Sequence, residues 1–445
     1  MLYCFQRQGA GLPQPQKPFK EEKKVKKFLS LALALVLAFA LCAVASAEAV
    51  TITAWITDGA ETVIYTEMFD DFNSKNPDIN VNYQFFAQDE LLNKLQTAPI
   101  VGDTPDIIVI DGLQIPYFQE LDMIACLDDY ISEEMKADVL PSVWAENTYG
   151  ESLYGVAQFD SGMGLWTRRS VLESIGARIP TSYTEAWTVE EFEDILAKCK
   201  EAGYEYPLYI RQNKVTSLYF NWMPVIASFG GDYLNRDTMT ATGTMDGEGT
   251  IAAYNWMKKM VDEGYINASC DYEDAFYGRN EAVFSMLGHW KYSQHVGAFG
   301  DDAIIVPMPD FGKGVFTCSG STVDVMTNAA IERGVGDQAW AVLEAMMSPE
   351  YIKMVCEVNG GVPARASVMD TMEQWQQGGR LYLYREQLEA GISYLRPITP
   401  AHSTVYNAMA TVCTNIMAGG DPEEELHTAA EYSDEIIYEN GWNIE

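Results

Sequence analysis

The chain has 445 residues, of which 48% are hydrophobic and 12% aromatic, and its formal net charge is −35. This length is sufficient for one large core or for two lobes. The acidity argues against nucleic acid as a partner, because neutralising phosphates requires a basic surface, and it also argues against binding to an anionic membrane. A solvated acidic surface explains the charge, and an acidic pocket for a cationic ligand is the alternative.

Residues 1–47 have the order of a secretory signal. Four lysines lie within residues 23–27, an apolar run from Phe28 to Val44 follows with Ser30 as its interruption, and the small residues 45–47 end it. This order predicts cleavage after Ala47, and the apolar run is short for a membrane span. The mature chain would begin at Glu48 and carry a net charge of −40, since residues 1–47 hold seven basic and two acidic residues.

Two details of this segment leave alternatives open. Residues 1–22 are rich in Gln and Pro, which is unusual for a signal, so translation is expected to start at Val25, read as Met. Cys42 is a possible lipid-attachment site, but the bulky Leu41 before it favours cleavage after Ala47 over lipidation. The protein is therefore expected in the periplasm or at the cell surface, with a free N-terminus.

Six cysteines follow the signal and are widely spaced, with no CxxC pair. The spacing argues against a metal centre or a thioredoxin-like redox site, and no cofactor is expected. An even number in an exported chain permits disulfides, but apolar neighbours of Cys126 and Cys356 favour buried free thiols. The disulfide state stays open at this point.

Strands and helices are predicted to alternate after the signal. Strands at 51–56, 79–83 and 105–111 are separated by helices at 62–76 and 89–97, which predicts a doubly wound sheet. A strand at 162–167 is expected to enter a second lobe. Helices at 188–201 and 249–263, strands at 303–307 and 321–326, and a helical stretch at 337–359 follow. The fold class is α/β.

Several stretches, taken in order, resemble the extracellular (family 1) solute-binding proteins of carbohydrate importers, the family that includes maltose-binding protein. They are Phe69 to Pro77, Pro105 to Asp111 with Leu121 to Tyr130, Tyr154 to Leu172, Gly230-Gly231-Asp232, Gly288-His289-Trp290, and Gly360 to Arg365. Trp166-Thr167-Arg168 stands where many relatives have Tyr-Asn-Lys, a departure that keeps size and charge. The resemblance covers essentially the whole mature chain.

The resemblance implies a periplasmic-binding-protein-like fold: two α/β lobes, a hinge and a ligand cleft between the lobes. We expect residues 48–160 plus 304–360 in the N-terminal lobe, and 161–303 plus 361–445 in the C-terminal lobe. The implied partners are a carbohydrate ligand and the membrane permease subunits of an ABC transporter, with no nucleic acid and a monomeric chain.

Sugar sites combine aromatic faces, which pack on the C–H face of the ring, with planar polar groups that bind hydroxyls. The aromatic candidates are Trp290, in the position of a stacking tryptophan in relatives; Trp222, in a segment similar to an aromatic part of the cleft; Trp55, at the end of the first strand; and Tyr406. For Trp290 and Trp222 the alternative is burial in the core.

The charged candidates are Asp58, Asp111, Asp160 and Arg365. Asp58 follows the first strand, with a turn-forming role as its alternative. Asp111 ends a buried parallel strand, where ligand crevices lie. Asp160 matches a cleft carboxylate of relatives at the crossing between lobes. Arg365 lies in the Gly-Gly-Val-Pro-Ala-Arg turn, and a structural salt bridge is the alternative there.

No motif in the sequence indicates catalysis. The four histidines and the remaining residues form no HExxH, GxSxG or P-loop pattern. A binding protein for a polyamine or another cationic solute remains one rival, because the chain is acidic. A secreted glycoside hydrolase is the rival of a different class, since the 62 acidic residues from Glu48 onward are enough to include paired carboxylates.

Overall fold

Strands and helices alternate through a computed structural model that describes residues 49–212 and 215–444, without the side chains of residues 215–217. The expected signal segment 1–47, its cleavage site and Cys42 lie outside the described residues. The described strands are β1 Val50–Thr57, β2 Ile79–Phe86, β3 Ile107–Asp111, β4 Thr148–Tyr149, β5 Ser152–Leu153, β6 Phe159–Asp160, β7 Leu165–Arg168, β8 Leu208–Tyr209, β9 Phe284–Ser285, β10 Ala303–Val306, β11 Thr317–Ser319, β12 Thr322–Met326, β13 Val362–Pro363 and β14 Ser393–Leu395.

The described helices are α1 Thr62–Lys75, α2 Gln88–Val101, α3 Ile115–Glu120, α4 Glu133–Asp138, α5 Pro141–Asn147, α6 Arg169–Ser174, α7 Val189–Glu201, α8 Val215–Phe229, α9 Glu248–Asp262, α10 Tyr292–Phe299, α11 Asn328–Glu332, α12 Gly336–Met346, α13 Pro349–Asn359, α14 Ala366–Met369, α15 Tyr382–Glu389, α16 His402–Met417 and α17 Pro422–Asn440.

The first sheet has the order β12-β3-β1-β2. Strand β1 pairs in parallel with both β2 and β3, and β12 joins β3 in the antiparallel direction. Helices α1 and α2 connect the parallel strands, so the predicted strand–helix alternation is confirmed. Strand β3 is buried as far as Ile110, and its last residue, Asp111, is half-buried at the carboxyl end of the sheet.

Local sequence signals set several helix ends. Thr188 caps α7 by accepting a hydrogen bond from the Glu191 backbone amide at 3.3 Å, as the capping pattern predicts. The helical stretch expected at 337–359 is two helices, because Ser348 caps a new helix that has Pro349 in its first turn. A proline lacks the amide that a continuous helix needs at that position.

The second sheet has the order β10-β7-β9-β8, and its strands are only two to four residues long. Strand β7 pairs in the antiparallel direction with β10 and β9. The sheet packs within a hydrophobic cluster that includes Leu208 and Phe284, whereas Ile52 and Ile108 of the first sheet belong to another cluster.

The chain passes between the two sheets through two small two-stranded ladders, β6 with β13 and β11 with β14. The expected division of the chain between lobes stays a prediction. Because β10 (Ala303–Val306) pairs with β7, the chain returns to the first sheet after Val306 rather than at residue 304. Residues Val362 to Tyr384 contribute to the cluster of the first sheet, so the last crossing also comes later than residue 361.

Candidate functional site

A cleft of about 480 Å³ opens at the strand ends of the two sheets. The loop after β1, the end of β3 and the start of β12 form one wall, and the segments after β8 and β9 with helix α8 form the other. The lining residues are Asp58, Gly59, Ala60, Glu61, Gln88, Asp111, Phe159, Ser161, Arg211, Phe220, Asn221, Glu273, His289, Trp290, Lys291, Gln294, Gly320, Ser321, Thr322, Arg396 and Tyr406. Carboxyl ends of strands at a crossover are where α/β proteins bind ligands.

Trp290 forms an aromatic surface on the second wall. It lies in the short helical turn His289–Lys291 that follows β9, and its ring is half-buried. The rings of Phe220 and Trp290 are arranged edge to face, with their centroids 5.6 Å apart. Gly288 makes this position possible, because a Cβ there would collide with the indole. The indole Nε1 is buried and has no hydrogen-bond partner among the described residues.

Asn221 is the second polar group without a partner on this wall. Its side chain is 1% exposed, and neither the amide oxygen nor the amide nitrogen has a hydrogen-bond partner in the described part of the chain. The buried Oε1 of Gln294, in the same cleft, also has none there. Burying an amide without a partner is unfavourable by about 1–3 kcal/mol, so these groups are suited to the hydroxyls of a ligand.

The floor of the cleft is a buried ionic cluster around Arg396. The guanidinium donates to both Asp111 oxygens, at 2.8 and 3.1 Å, and to Glu146 Oε1 at 3.0 Å. Its carbon lies 4.9 Å from the centre of the Phe220 ring. Gly320 completes the floor with φ +133°, and a Cβ there would lie 2.6 Å from Arg396 Nη2. Only glycine fits this backbone.

The two carboxyls of the cluster, Glu146 and Asp111, differ in their pKa values and therefore in their ionisation. Burial raises the pKa of Glu146 to about 8, with Arg396 opposing the shift and Asp111 adding to it. Burial acts in the same direction on Asp111, but the Arg396 guanidinium outweighs it and holds the pKa of Asp111 below its usual value. At neutral pH the Arg396–Asp111 pair is ionised and Glu146 is mainly protonated.

A second ionic group lies on the wall that carries Trp290. Glu273 accepts a hydrogen bond from Lys291 Nζ at 2.6 Å and pairs with the Arg211 guanidinium through its other oxygen. Burial and the nearby Arg211 lower the pKa of Lys291 to about 8. Two cations therefore contact the same carboxylate at the edge of the cleft.

Four of the eight predicted site residues line this cleft: Asp58, Asp111, Trp290 and Tyr406. Asp160 lies directly behind it, where its Oδ1 accepts hydrogen bonds from the backbone amides of Ser161 and Gly320. The Asp160 carboxyl thus ties together two crossing segments of the chain. A role in ligand binding stays a prediction for all five residues.

The structure corrects the other three expectations. Trp222 is fully buried and stacks on Trp256 with ring centroids 5.6 Å apart, because its side of α8 faces the core. Trp55 is also buried and packs between Phe86 and the Lys94 ammonium rather than lining the cleft. Arg365 forms the structural salt bridge that was its alternative, with Asp138 at 2.7 Å.

Several residues of the cleft are absent from the sequence prediction: Arg396, Glu146, Asn221, Arg211, Glu273 and Lys291. Two of these residues are adjacent in the sequence to aromatic residues that were predicted to bind the ligand. Asn221 lies inside the aromatic segment 219–222, and Lys291 follows Trp290 directly. Glu146 and Arg396 are 250 residues apart and meet only in three dimensions.

Within residues 49–212 and 215–444, no group of three or more His, Cys, Asp or Glu side chains could hold a metal ion. The six cysteines of this part of the chain are free thiols, and all of them except Cys126 are buried.

None of the helices in the described part of the chain is both long and apolar enough to cross a membrane.

Two curated relatives match most of the chain. A putative binding protein of Brucella abortus is 21% identical over 82% of this chain and 88% of that protein. The diacetylchitobiose binding protein DasA of Streptomyces coelicolor is 20% identical over 84% of this chain and 87% of its own length.

Among solved structures, an ABC transporter solute-binding protein of Thermotoga lettingae, bound with α-D-tagatose, aligns with a TM-score of 0.75 at 20% identity and covers 87% of this chain and 100% of that one. The likeness shows the two-lobe fold of periplasmic binding proteins. The model of the bacterial extracellular solute-binding protein family matches residues 58–353, more than half of the chain. The chain therefore belongs to the bacterial extracellular solute-binding protein family.

Proposed function

We propose that this protein captures a sugar or oligosaccharide in the cleft and delivers it to the permease of an ABC transporter, without catalysing a reaction. The observation that carries the proposal is that the half-buried ring of Trp290 lines the same cleft as the amide of Asn221, which has no hydrogen-bond partner among the described residues. An aromatic face and a desolvated hydrogen-bonding group are what a sugar ring with hydroxyls requires. The sugar ligands of the Thermotoga and Streptomyces proteins support the same class.

Ligand capture is proposed to proceed by closure of the two lobes about the crossing segments. Asp160 and Arg396 would hold the floor of the cleft while the wall with Trp290 approaches the wall with Asp58. In this scheme the closed, loaded monomer docks on the permease subunits. The chain would act in the periplasm or at the cell surface after cleavage at Ala47, and the intact mass of the exported protein tests whether it begins at Glu48 or at a lipidated Cys42.

The rival ligand, a polyamine, is less compatible with this lining. Asp111 in the cleft already pairs with Arg396. Glu273 already pairs with Lys291 and Arg211, so these carboxylates are less available to a cationic ligand. A glycoside hydrolase is not supported by any feature of the described cleft beyond the presence of carboxylates.

The test is a thermal-shift panel of neutral and acidic sugars, polyamines and metal ions. A ligand that binds only the folded protein raises its melting temperature with concentration, so sugars should do so and polyamines should not. Small-angle scattering with the best sugar should show a smaller radius of gyration. Stabilisation by polyamines alone, or release of reducing sugar from an oligosaccharide, would contradict the proposal.

A further inference from the structure

Trp290 is an effective platform for a sugar only if its turn is held in one position before the ligand arrives. The turn His289–Lys291 has three residues and follows β9, a strand of two residues, so it depends on contacts outside the sheet. Its first residue, His289, is 2% exposed, and its ring is arranged edge to face with the Trp290 indole, with centroids 5.5 Å apart. The side chain of His289 therefore lies directly against the platform.

Both ring nitrogens of His289 have partners in the protein. Nδ1 lies 3.1 Å from the backbone carbonyl oxygen of Asn359, at the end of α13, and Nε2 lies 3.0 Å from Ser161 Oγ, directly after β6. A carbonyl oxygen only accepts, so Nδ1 carries the proton. Burial lowers the pKa of His289 to about 4, with the hydrogen bond to Asn359 opposing the shift. The ring is therefore neutral at pH 7, and Nε2 accepts from the Ser161 hydroxyl.

The backbone of the turn contacts the same two segments. The His289 amide donates to the Gly162 carbonyl at 3.2 Å, on the side of the crossing segment after β6. On the side of α13, Gly360 has φ +74°, and a Cβ there would lie 2.7 Å from the Cβ of Tyr292. The turn that carries Trp290 is thus enclosed between the crossing segment and the end of α13.

Asn359 extends this connection to the opposite wall of the cleft. Its side-chain amide donates to Glu61 Oε1 at 2.7 Å, and Glu61 lines the cleft in the loop after β1. One series of hydrogen bonds therefore runs from the Ser161 hydroxyl through the His289 ring and Asn359 to Glu61. With both ring nitrogens engaged, His289 has no hydrogen-bonding atom left for a ligand and can act only through these neighbours.

We propose that His289 is a positioning residue of the ligand site, which orients the Trp290 indole for the sugar ring and holds its wall in register with Glu61. The inference rests on the proposed carbohydrate function and adds a residue that affects binding without touching the ligand. Without His289 the indole would have to be ordered when the sugar binds, and that ordering is unfavourable.

The first measurement needs no ligand. In the full mature chain labelled with 5-fluorotryptophan, Trp290→Phe and Trp222→Phe assign two fluorine resonances. His289→Ala should shift or broaden the Trp290 resonance, because the indole loses the ring that packs against it, and should leave that of Trp222 in place. His289→Asn should again give a single sharp Trp290 resonance, since the asparagine amide can replace Nδ1 as the donor to Asn359.

The second measurement is the affinity for maltose or tagatose, whichever raises the melting temperature more, by titration calorimetry. His289→Ala should weaken binding about three- to tenfold, because the platform must then be ordered on binding. In a Trp290→Ala background the same change should alter the affinity by less than about twofold, since a residue that acts through the platform has no effect once the platform is removed.

His295→Ala is the matched control. His295 is also a buried histidine, packs against Trp166 and Phe276 with ring centroids 5.0 and 4.9 Å away, and lies outside the cleft lining. This variant should lower the melting temperature as His289→Ala does. It should leave the Trp290 resonance and the affinity for the sugar unchanged.

An unchanged Trp290 resonance in His289→Ala, or an equal loss of affinity with and without Trp290, would overturn the inference and leave the carbohydrate function standing. If no sugar of the panel binds, the proposed function fails, and the resonance still decides whether His289 positions Trp290. If His289→Ala does not fold, Ser161→Ala replaces it. That variant removes the donor to Nε2, and the Trp290 resonance should shift there as well.

Discussion

Helix α8 borders two regions of the molecule, the hydrophobic core and the cleft. Aromatic and polar side chains have different surroundings in these two regions. One side of the helix carries Tyr219 and Trp222 into the hydrophobic core, where Trp222 stacks on Trp256. Phe220 and Asn221, from the same four-residue stretch, line the cleft. A sequence rich in aromatic residues therefore does not by itself identify a binding surface. The direction in which each side chain leaves the helix decides its role.

The core and the cleft also differ in what their side chains can reach. Trp222 is fully buried and its indole nitrogen has no hydrogen-bond partner among the described residues, so only protein surrounds it. Asn221 and Trp290 also carry polar atoms without a partner in that part of the chain, but both residues line the cleft, where a ligand can reach them. Core residues should thus affect the free energy of unfolding, and cleft residues should affect the free energy of binding. The substitutions below test this separation.

Trp222→Ala should have the largest effect and should act on stability. Emptying a fully buried aromatic site lowers the free energy of unfolding by about 3–5 kcal/mol. Urea denaturation measures this loss, and Trp222→Phe should show a smaller one. The folded fraction should bind its ligand with unchanged affinity. A loss of affinity at unchanged stability would instead indicate that Trp222 contacts the ligand.

Glu146→Gln should change the pH dependence of stability by up to roughly 2–4 kcal/mol, because a pKa unit corresponds to about 1.4 kcal/mol. The folded pKa of about 8 lies above the unfolded value near 4.5. The protonated carboxyl therefore stabilises the fold fully below about pH 4.5, and this contribution is lost as pH rises through 8. Glutamine imitates the protonated form.

Melting temperatures at pH 6 and pH 9 measure this effect on the cleft floor. The unaltered protein should lose more stability between these values than Glu146→Gln does. Trp222→Phe is the comparison variant, since it changes the core and should keep the full pH dependence. Parallel pH profiles for Glu146→Gln and the unaltered protein would show that Glu146 is ionised throughout this range.

Trp290→Ala should weaken sugar binding by about 1–3 kcal/mol, roughly ten- to a hundredfold, the effect of losing an aromatic contact. The fold should survive, because the half-buried ring is only partly packed by protein. Titration calorimetry and melting curves on the same variant measure the two quantities. A large fall in melting temperature with unchanged affinity would place Trp290 among the core residues, with Trp222.

Asn221→Ala should have the smallest effect, a loss of about 1 kcal/mol in binding, the contribution of one hydrogen bond. Stability should stay the same or rise, because the substitution removes a buried amide that has no hydrogen-bond partner in the described part of the chain. Asn407→Ala is the matched control, on an exposed position of helix α16, and should leave binding unchanged. Marked destabilisation by Asn221→Ala would mean that the amide supports the fold.

Periodicity predicted the strands of the first sheet well, but of the second sheet it predicted only β7 and β10. Strands β1 to β3 are five to eight residues long and alternate with helices, so a local pattern identifies them. Strands β8 and β9 have two residues each, and a strand of this length shows no recognisable alternation of polar and apolar residues. Strand β10 pairs with β7 of the second sheet, so the chain leaves that sheet only after Val306, slightly later than the expected boundary at residue 304.

The residues of the candidate site were also predicted only in part. Asp58 and Asp111 were predictable because the ends of parallel strands meet a crevice, and both line the cleft. Trp222 and Trp55 were wrong as cleft residues because residue type and position along an element do not show which side of it is covered. Arg396 was missed because nothing near it in the sequence shows that Asp111 and Glu146 would surround it.

The sequence by itself determined the α/β class, the strand–helix alternation of the first sheet and the family, since these depend on periodicity and on ordered motifs along the chain. The tertiary structure alone decided which aromatic residues reach the cleft and which charges meet there. Asp111, Glu146 and Arg396 come together only when the crossing segments pack, and burial then shifts their pKa values. Proximity and desolvation between distant segments are properties of the folded chain, and no local pattern encodes them.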